Sequence, residues 1–133
     1  MDDGLIEVLR ECTEGSDAGR MNFPDVVGRL KAAGVEHYHA DLLRAEKTYY
    51  LPDGRSHRLA CSPLAADPVE TFSEAGVSAA IRAIQGGRST YKDFCRDIAA
   101  AGCVGYLVSL PGARAVYYGR SGETFVEPFP RAA

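Results

Sequence analysis

Apolar residues recur every three or four positions in four segments of the chain, which is the spacing of a helix that buries one face. Asn22 and Thr90 stand before two of these segments as favourable N-cap residues, and Gly34 and Gly102 follow the same two segments as helix-ending residues. The pattern therefore predicts four helices, whose buried stripes are Leu5, Val8, Leu9 and Cys12; Val26, Val27, Leu30 and Ala33; Val77, Ile81 and Ile84; and Phe94, Cys95, Ile98 and Ala101.

After Gly34, and again after Gly102, the pattern changes to short runs in which the residues alternate, which is typical of half-buried strands. Turn residues such as Asp53–Gly54 separate the runs, and Asp-Gly is a strong hairpin signal. We predict three strands after each helix pair. They are Val35–Leu43, Thr48–Tyr50 and Ser56–Leu59, then Cys103–Leu110, Val116–Tyr118 and Thr124–Val126.

The two halves of the chain repeat each other at an offset of 68 positions. Residues 19–57 align with residues 87–125 without a gap, and 12 of these 39 pairs are identical. Chance alone would give about two or three identities, so the pattern indicates an internal repeat. Each copy reads as helix, helix, strand, strand, strand; the copies span 1–59 and 73–127, with a linker at about 60–72 that contains Pro63 and Pro68.

The repeat predicts an α+β fold with a mainly antiparallel sheet and helices on one face. A copy of roughly 60 residues is near the lower limit for a separate hydrophobic core. We therefore expect the two ααβββ copies to combine into a single domain over residues 1–133.

Composition narrows the classes of function. The chain has 46% hydrophobic and 25% charged residues and a formal net charge of −3, which argues against a nucleic-acid-binding protein because such proteins present a basic face. Its apolar runs fall short of the roughly 18 residues that a membrane span needs. We expect no nucleic-acid partner and no membrane partner.

The four cysteines, Cys12, Cys61, Cys95 and Cys103, form no C-x-x-C pair. With no apolar signal segment at the start of the sequence, this usage is typical of reduced thiols in a cytoplasmic protein. We expect a cytoplasmic location and no cofactor.

All three histidines fall in the first copy. A two-residue turn at Arg44–Ala45 would place Asp41 opposite Thr48 and His39 opposite Tyr50, and a turn at Asp53–Gly54 would place Tyr50 opposite His57. Opposed residues share a sheet face. One face would then collect polar residues where the second copy is largely apolar, and its candidate catalytic residues are His39, Asp41, Tyr50 and His57.

Three interpretations of this cluster stay open. His39, His57 and Asp41 offer the nitrogen and oxygen ligands of a zinc or iron site. Alternatively, a histidine oriented by Asp41 beside the Tyr50 hydroxyl could transfer a proton near neutral pH. The simplest interpretation is the solvated face of an antiparallel sheet. Lys47 falls on the more apolar face, where it is expected to be a snorkelling lysine on an edge strand.

Several segments of the chain have a familiar sequence. They are Phe23–Val27, Ala32–Glu36, Tyr38–Leu42, Glu46–Tyr50, Pro52–Gly54, Gly76–Val77, Ala79–Ala83 and Ala101–Cys103. Together they resemble a small bacterial and prophage-associated family of about this length, sometimes labelled "phage envelope protein". The resemblance covers most of the chain and implies no particular reaction, cofactor or catalytic residue.

The leading functional hypothesis is a small soluble module that binds an unknown small ligand or protein, with a homodimer left open. The alternative is an enzyme that uses His39, Asp41, Tyr50 and His57, with or without a divalent metal. A third hypothesis is an interaction protein that uses a sheet edge and the segment Phe125–Pro130. A recess around the histidines would favour an enzyme, and an exposed apolar patch would favour an interaction protein.

Overall fold

The computed structural model describes residues 1–64 and 67–130. Within them the chain forms four helices and six strands in the predicted order, twice helix, helix, strand, strand, strand. The first set is α1 (Asp3–Asp17), α2 (Phe23–Ala32), β1 (His37–Asp41), β2 (Glu46–Tyr50) and β3 (Ser56–Ala60). The second set is α3 (Glu74–Gln85), α4 (Tyr91–Ala100), β4 (Cys103–Ser109), β5 (Arg114–Gly119) and β6 (Thr124–Pro128).

Side-chain caps begin the helices where the sequence predicts them. The Asn22 side chain accepts a hydrogen bond from the backbone N–H of Asp25, whose carboxylate in turn accepts from the backbone N–H of Asn22. Thr90 accepts from the Asp93 N–H at the same place in the second copy. These bonds satisfy backbone donors that a helix leaves free at its start.

Gly34 and Gly102 each follow directly on the C-cap of a helix, as predicted. Their φ angles are 85° and 87°, a left-handed conformation that residues with a Cβ atom rarely adopt. Both glycines therefore turn the chain from a helix into the next strand.

The strands form one antiparallel sheet in the order β3-β2-β1-β4-β5-β6. The first strands of the two copies, β1 and β4, are neighbours at its centre, with His37 opposite Ser109 and Asp41 opposite Gly105. Each copy thus contributes three adjacent strands to a shared sheet. The predicted α+β class with mainly antiparallel strands is confirmed.

The helices pack on one face of the sheet, where alternate strand residues are buried. Leu9, Leu30 and Ile98 from the helices meet Tyr49 and Val108 from the strands in a continuous core. We call the other side the open face. Its side chains are largely half-buried or exposed and come from His37, His39, Asp41, Glu46, Thr48, Tyr50, Ser56, Arg58, Leu107, Ser109, Arg114, Val116, Tyr118, Thr124 and Val126.

The predicted pairing in the first hairpin is wrong by two positions. His39 pairs with Thr48 and Asp41 with Glu46, so four residues connect the strands instead of two. The Asp41 carboxylate accepts hydrogen bonds from two backbone N–H groups of this connection and starts the turn early. Because the shift is an even number of residues, β2 keeps its predicted faces.

The second hairpin differs by one position, and the consequence is larger. Tyr49 pairs with His57, and Tyr50 pairs with Ser56. The loop is closed by the Leu51 N–H, which donates to the Arg55 carbonyl, and by the Gly54 N–H, which donates to the Leu51 carbonyl, with Gly54 at a φ of 90°. An odd shift moves every side chain of the strand to the other face. His57 therefore lies on the helix-covered side and not beside Tyr50.

In the part of the chain that the structure describes, no helix is both long enough and apolar enough to cross a membrane.

Candidate functional site

The four predicted site residues do not come together. His39, Asp41 and Tyr50 lie on the open face, whereas His57 lies on the helix-covered face. The Asp41 carboxylate is engaged by the turn that follows β1. Among residues 1–64 and 67–130, no group of three or more histidine, cysteine, aspartate or glutamate residues could hold a metal ion.

Tyr50 stacks on a different histidine. Its ring lies parallel to that of His37, with centroids 4.6 Å apart and an interplanar angle of 7°. Nδ1 of His37 lies 3.0 Å from a carboxylate oxygen of Glu36. This stack occupies the outer end of β1 and β2, away from His39.

His39 instead contacts a tyrosine of the second copy. Its Nε2 lies 2.7 Å from the hydroxyl oxygen of Tyr118, with the two rings stacked. Tyr118 crosses β4 above Gly105, where an added Cβ would overlap the Tyr118 hydroxyl. Burial is the main cause that raises the pKa of Tyr118, with the nearby Asp41 charge adding to it. The sequence did not predict this pair, because His39 and Tyr118 come from different copies and the pairing of β1 with β4 brings them together.

A second site lies on the helix-covered side. A cavity of about 270 Å³ opens between the β1–β2 connection, α4 and the segment after β3. We call it the Lys47 cavity, after the one lysine that the sheet contributes to its wall. Its largely apolar lining includes Ala40, Leu42, Cys61, Leu64, Tyr91 and Cys95.

Lys47 is a buried lysine, not a residue on an edge strand. β2 lies between β1 and β3, and the side chain of Lys47 is only 3% exposed beneath the helices. Its Nζ sits 4.3 Å from the centre of the Tyr91 ring and 5.8 Å from that of Tyr38. Within the described residues, it forms no ion pair with a carboxylate. The expectation of a snorkelling edge lysine is therefore wrong.

Burial controls the ionisation of the groups around this cavity. It lowers the pKa of Lys47, against the opposing effect of nearby thiols and of Asp17. It raises the pKa of Cys61 and of Cys95 to about 11, so both thiols stay protonated near neutral pH. It also raises the pKa of Tyr91 well above its usual value. The cavity thus offers uncharged thiol and phenol donors and, in Lys47, one buried amine.

The second copy has no counterpart of this amine. The residue at the position of Lys47 is Ala115, which is buried, and it pairs with Val108 as Lys47 pairs with Ala40. The alignment of the copies contained the signal, a lysine at an apolar position that its partner copy fills with alanine. The edge assignment conflicts with the two predicted hairpins, which place β2 between β1 and β3.

Comparison with known proteins gives a family but no activity. Residues 14–127 match a family described as a protein of unknown function (DUF1398), so the chain belongs to that family. A search of curated proteins finds no match.

Proposed function

We propose that this member of the family of unknown function binds a small, largely apolar molecule in the Lys47 cavity. The single observation that carries the proposal is Lys47 itself, a lysine with no carboxylate partner among the described residues that faces an apolar cavity. This narrows the sequence hypothesis of a binding module to a small ligand and a defined place.

The stability of the fold does not explain why a lysine is buried at position 47. Removing an ammonium group from water costs several kcal/mol unless a partner compensates. The second copy builds the same part of the core with Ala115 and Val108, so an apolar pair is compatible with this fold. A lysine kept in such a place is best accounted for by a molecule that enters and contacts it.

The size and lining of the cavity set the ligand class. A volume of about 270 Å³ is close to the lower end of small-molecule sites, which run from roughly 300 to 1,000 Å³. Apolar walls of leucine, alanine and tyrosine favour a ring or a branched chain. The amine of Lys47 and the thiols of Cys61 and Cys95 offer contacts to one polar group.

Benzyl alcohol is a suitable probe, because it combines one ring with one uncharged polar group. We expect it to shift the backbone amide NMR signals of the residues that line the cavity. The signals of open-face residues that do not line it, such as Tyr50, Tyr118 and Val126, should stay unchanged. The matched control is the double variant Ala40→Val, Lys47→Ala, which gives the first copy the pair that the second copy already packs. Shifts that persist in this variant, or that appear only on the open face, would contradict the proposal.

Proton transfer at His39 and Tyr118 is a second candidate. It retains the enzyme hypothesis with one of the four predicted residues, and the 2.7 Å contact between Nε2 and the phenol supports it. Tyr118→Phe removes the hydroxyl and keeps the ring. If the two groups share a proton, the ring nitrogen NMR shifts of His39, which report its tautomer, change in this variant and those of His37 do not. Unchanged His39 shifts would contradict a shared proton.

The prophage association, the cytoplasmic location and the homodimer remain predictions. Leu107 and Val126 are exposed apolar residues of the open face and would be the centre of a contact between two copies of the chain. Sedimentation of the purified protein tests the homodimer.

A further inference from the structure

We propose that Lys47 forms an imine with a small, uncharged aldehyde or ketone bound in the Lys47 cavity. This inference rests on the proposed function, because the carbonyl compound must first enter that cavity. It adds the chemical class of the ligand and a covalent step.

The three lysines of the chain provide an internal comparison. Lys31 and Lys92 are exposed residues of α2 and α4, where water stabilises their charged form. Lys47 is buried against aromatic rings, with no carboxylate ion pair within the described residues. An amine attacks a carbonyl only when it is unprotonated, and burial without a counter-ion favours the unprotonated form. Of the three, Lys47 has the environment of a nucleophile.

The face of the Tyr91 ring works in the opposite direction, since it attracts the ammonium form of Lys47. Burial is nevertheless the largest influence on this amine, and its pKa is lowered overall. The ring also fixes the position of Nζ, which limits how far the amine must move to reach a bound carbonyl carbon.

The reaction needs no redox partner. Nζ forms a bond to the carbonyl carbon while the π electrons of the C=O bond move to oxygen, and a proton passes from nitrogen to that oxygen. Loss of the hydroxyl as water then leaves a C=N bond, so that amine and carbonyl give imine and water. Tyr91 lines the cavity, and its phenol is hydrogen-bonded to Tyr106 and stays protonated. It can donate the proton that water takes as it leaves and regain a proton from the iminium nitrogen, which leaves a neutral imine.

The charges along the cavity favour an uncharged carbonyl compound over a carboxylate. Four carboxylates line it, and besides Lys47 only two cations do so among the described residues. Arg96 is moreover close to Asp93 and Asp97. A negative ligand would meet net repulsion there, whereas an aldehyde would not. The charged lining residues are Asp17, Asp41, Glu46, Asp93, Lys92 and Arg96.

Reductive trapping with benzaldehyde tests the inference on the unmodified chain. The protein is incubated at pH 7 with benzaldehyde and cyanoborohydride, which reduces an imine to a stable benzylamine. Peptide mass spectrometry then compares Lys31, Lys47 and Lys92 within one sample. We expect Lys47 to be labelled faster than the other two, because burial leaves a larger fraction of its amine unprotonated. Benzyl alcohol, which cannot form an imine, should slow the labelling of Lys47 and leave that of Lys31, which lies outside the cavity, unchanged.

Each outcome separates the covalent step from the binding step. Equal labelling of the three lysines, together with benzyl alcohol shifts at the cavity, would overturn the imine and leave the proposed function intact. Equal labelling without such shifts would overturn both. Fast labelling of Lys47 that benzyl alcohol does not slow would show that the aldehyde reacts without occupying the cavity, which also overturns the inference.

Discussion

The two copies of the repeat have the same order of helices and strands, and they differ in how the core beneath the sheet is packed. In the second copy Val108 and Ala115 face each other and fill this part of the core. In the first copy Ala40 and Lys47 occupy the same pair of positions and border a cavity. The fold therefore accommodates either pair of residues. Packing alone does not require a lysine in the first copy.

The open face shows a second difference of the same kind. In the first copy a tyrosine stacks on His37, and in the second copy the equivalent tyrosine, Tyr118, lies over Gly105 and reaches His39 across the copy boundary. The loss of one side chain at Gly105 thus redirects a tyrosine that both copies keep. A small residue such as Gly105 leaves space on the sheet surface, and a neighbouring large side chain such as Tyr118 occupies that space.

The largest expected effect comes from moving the lysine into the filled copy. Ala115→Lys would bury an ammonium where Val108 leaves no space, and we expect it to lower the free energy of unfolding by more than about 3 kcal/mol. Urea denaturation measures this change. A cost below about 1 kcal/mol would mean that the second copy also has room for a lysine and that the copies do not differ as described.

The two helix-ending glycines should respond unequally to alanine. Both have positive φ, so each substitution costs on the order of 1 kcal/mol in backbone strain. At Gly102 the new methyl would also overlap the carbonyl oxygen of Thr71, whereas Gly34 has open space. We expect Gly102→Ala to lose more than about 2 kcal/mol and Gly34→Ala about 1 kcal/mol. Equal losses would contradict the close approach of the linker to Gly102.

Replacing the buried lysine by an apolar residue of similar length should stabilise the protein. Lys47→Met removes a desolvated amine and keeps its methylene packing, so we expect the free energy of unfolding at pH 7 to rise by about 1–2 kcal/mol. Thermal unfolding of the variant measures the change. A marked loss of stability would indicate that Lys47 holds the fold together and would weaken its assignment to a ligand.

Cys95 and its first-copy equivalent Val27 provide a comparison at alkaline pH. Burial raises the pKa of Cys95 from 9.0 to about 11, so its contribution to stability is complete below pH 9 and is lost as the pH rises through 11. Cys95→Val should therefore lose stability less steeply than the wild type, with a relative gain of about 1 kcal/mol by pH 10. Urea denaturation at pH 7, 9 and 10 checks this. Parallel decreases would place the thiol in water.

The helices, the strands and their order were predictable because they depend on local signals. Asn22 and Thr90 cap helices through bonds to residues three positions away, and Gly34 and Gly102 end them through their own φ angles. Within residues 19–57 and 87–125 the caps, glycines and apolar stripes coincide at one offset, which made the α+β class predictable as well.

The site was harder to predict from the sequence. Hairpin register depends on where each turn starts and how many residues it contains, and the turn residues only partly determine this. The Asp41 carboxylate bonds to the next backbone N–H groups and moves the first turn, and one additional residue in the second loop turns His57 to the other face. Lys47 was visible as a lysine in an apolar position. Its burial follows from its place on β2, which β1 and β3 flank and which the helices cover. The two predicted hairpins already put β2 between those strands, so the edge assignment was avoidable.

A crystal structure of the protein at a saturating concentration of benzyl alcohol tests the central claim most directly. We expect electron density for the ring inside the Lys47 cavity, in contact with Leu42, Leu64 and Tyr91, with its hydroxyl oriented towards Nζ of Lys47. A cavity that holds only water, or that is closed by the Lys47 side chain while benzyl alcohol binds elsewhere, would contradict it.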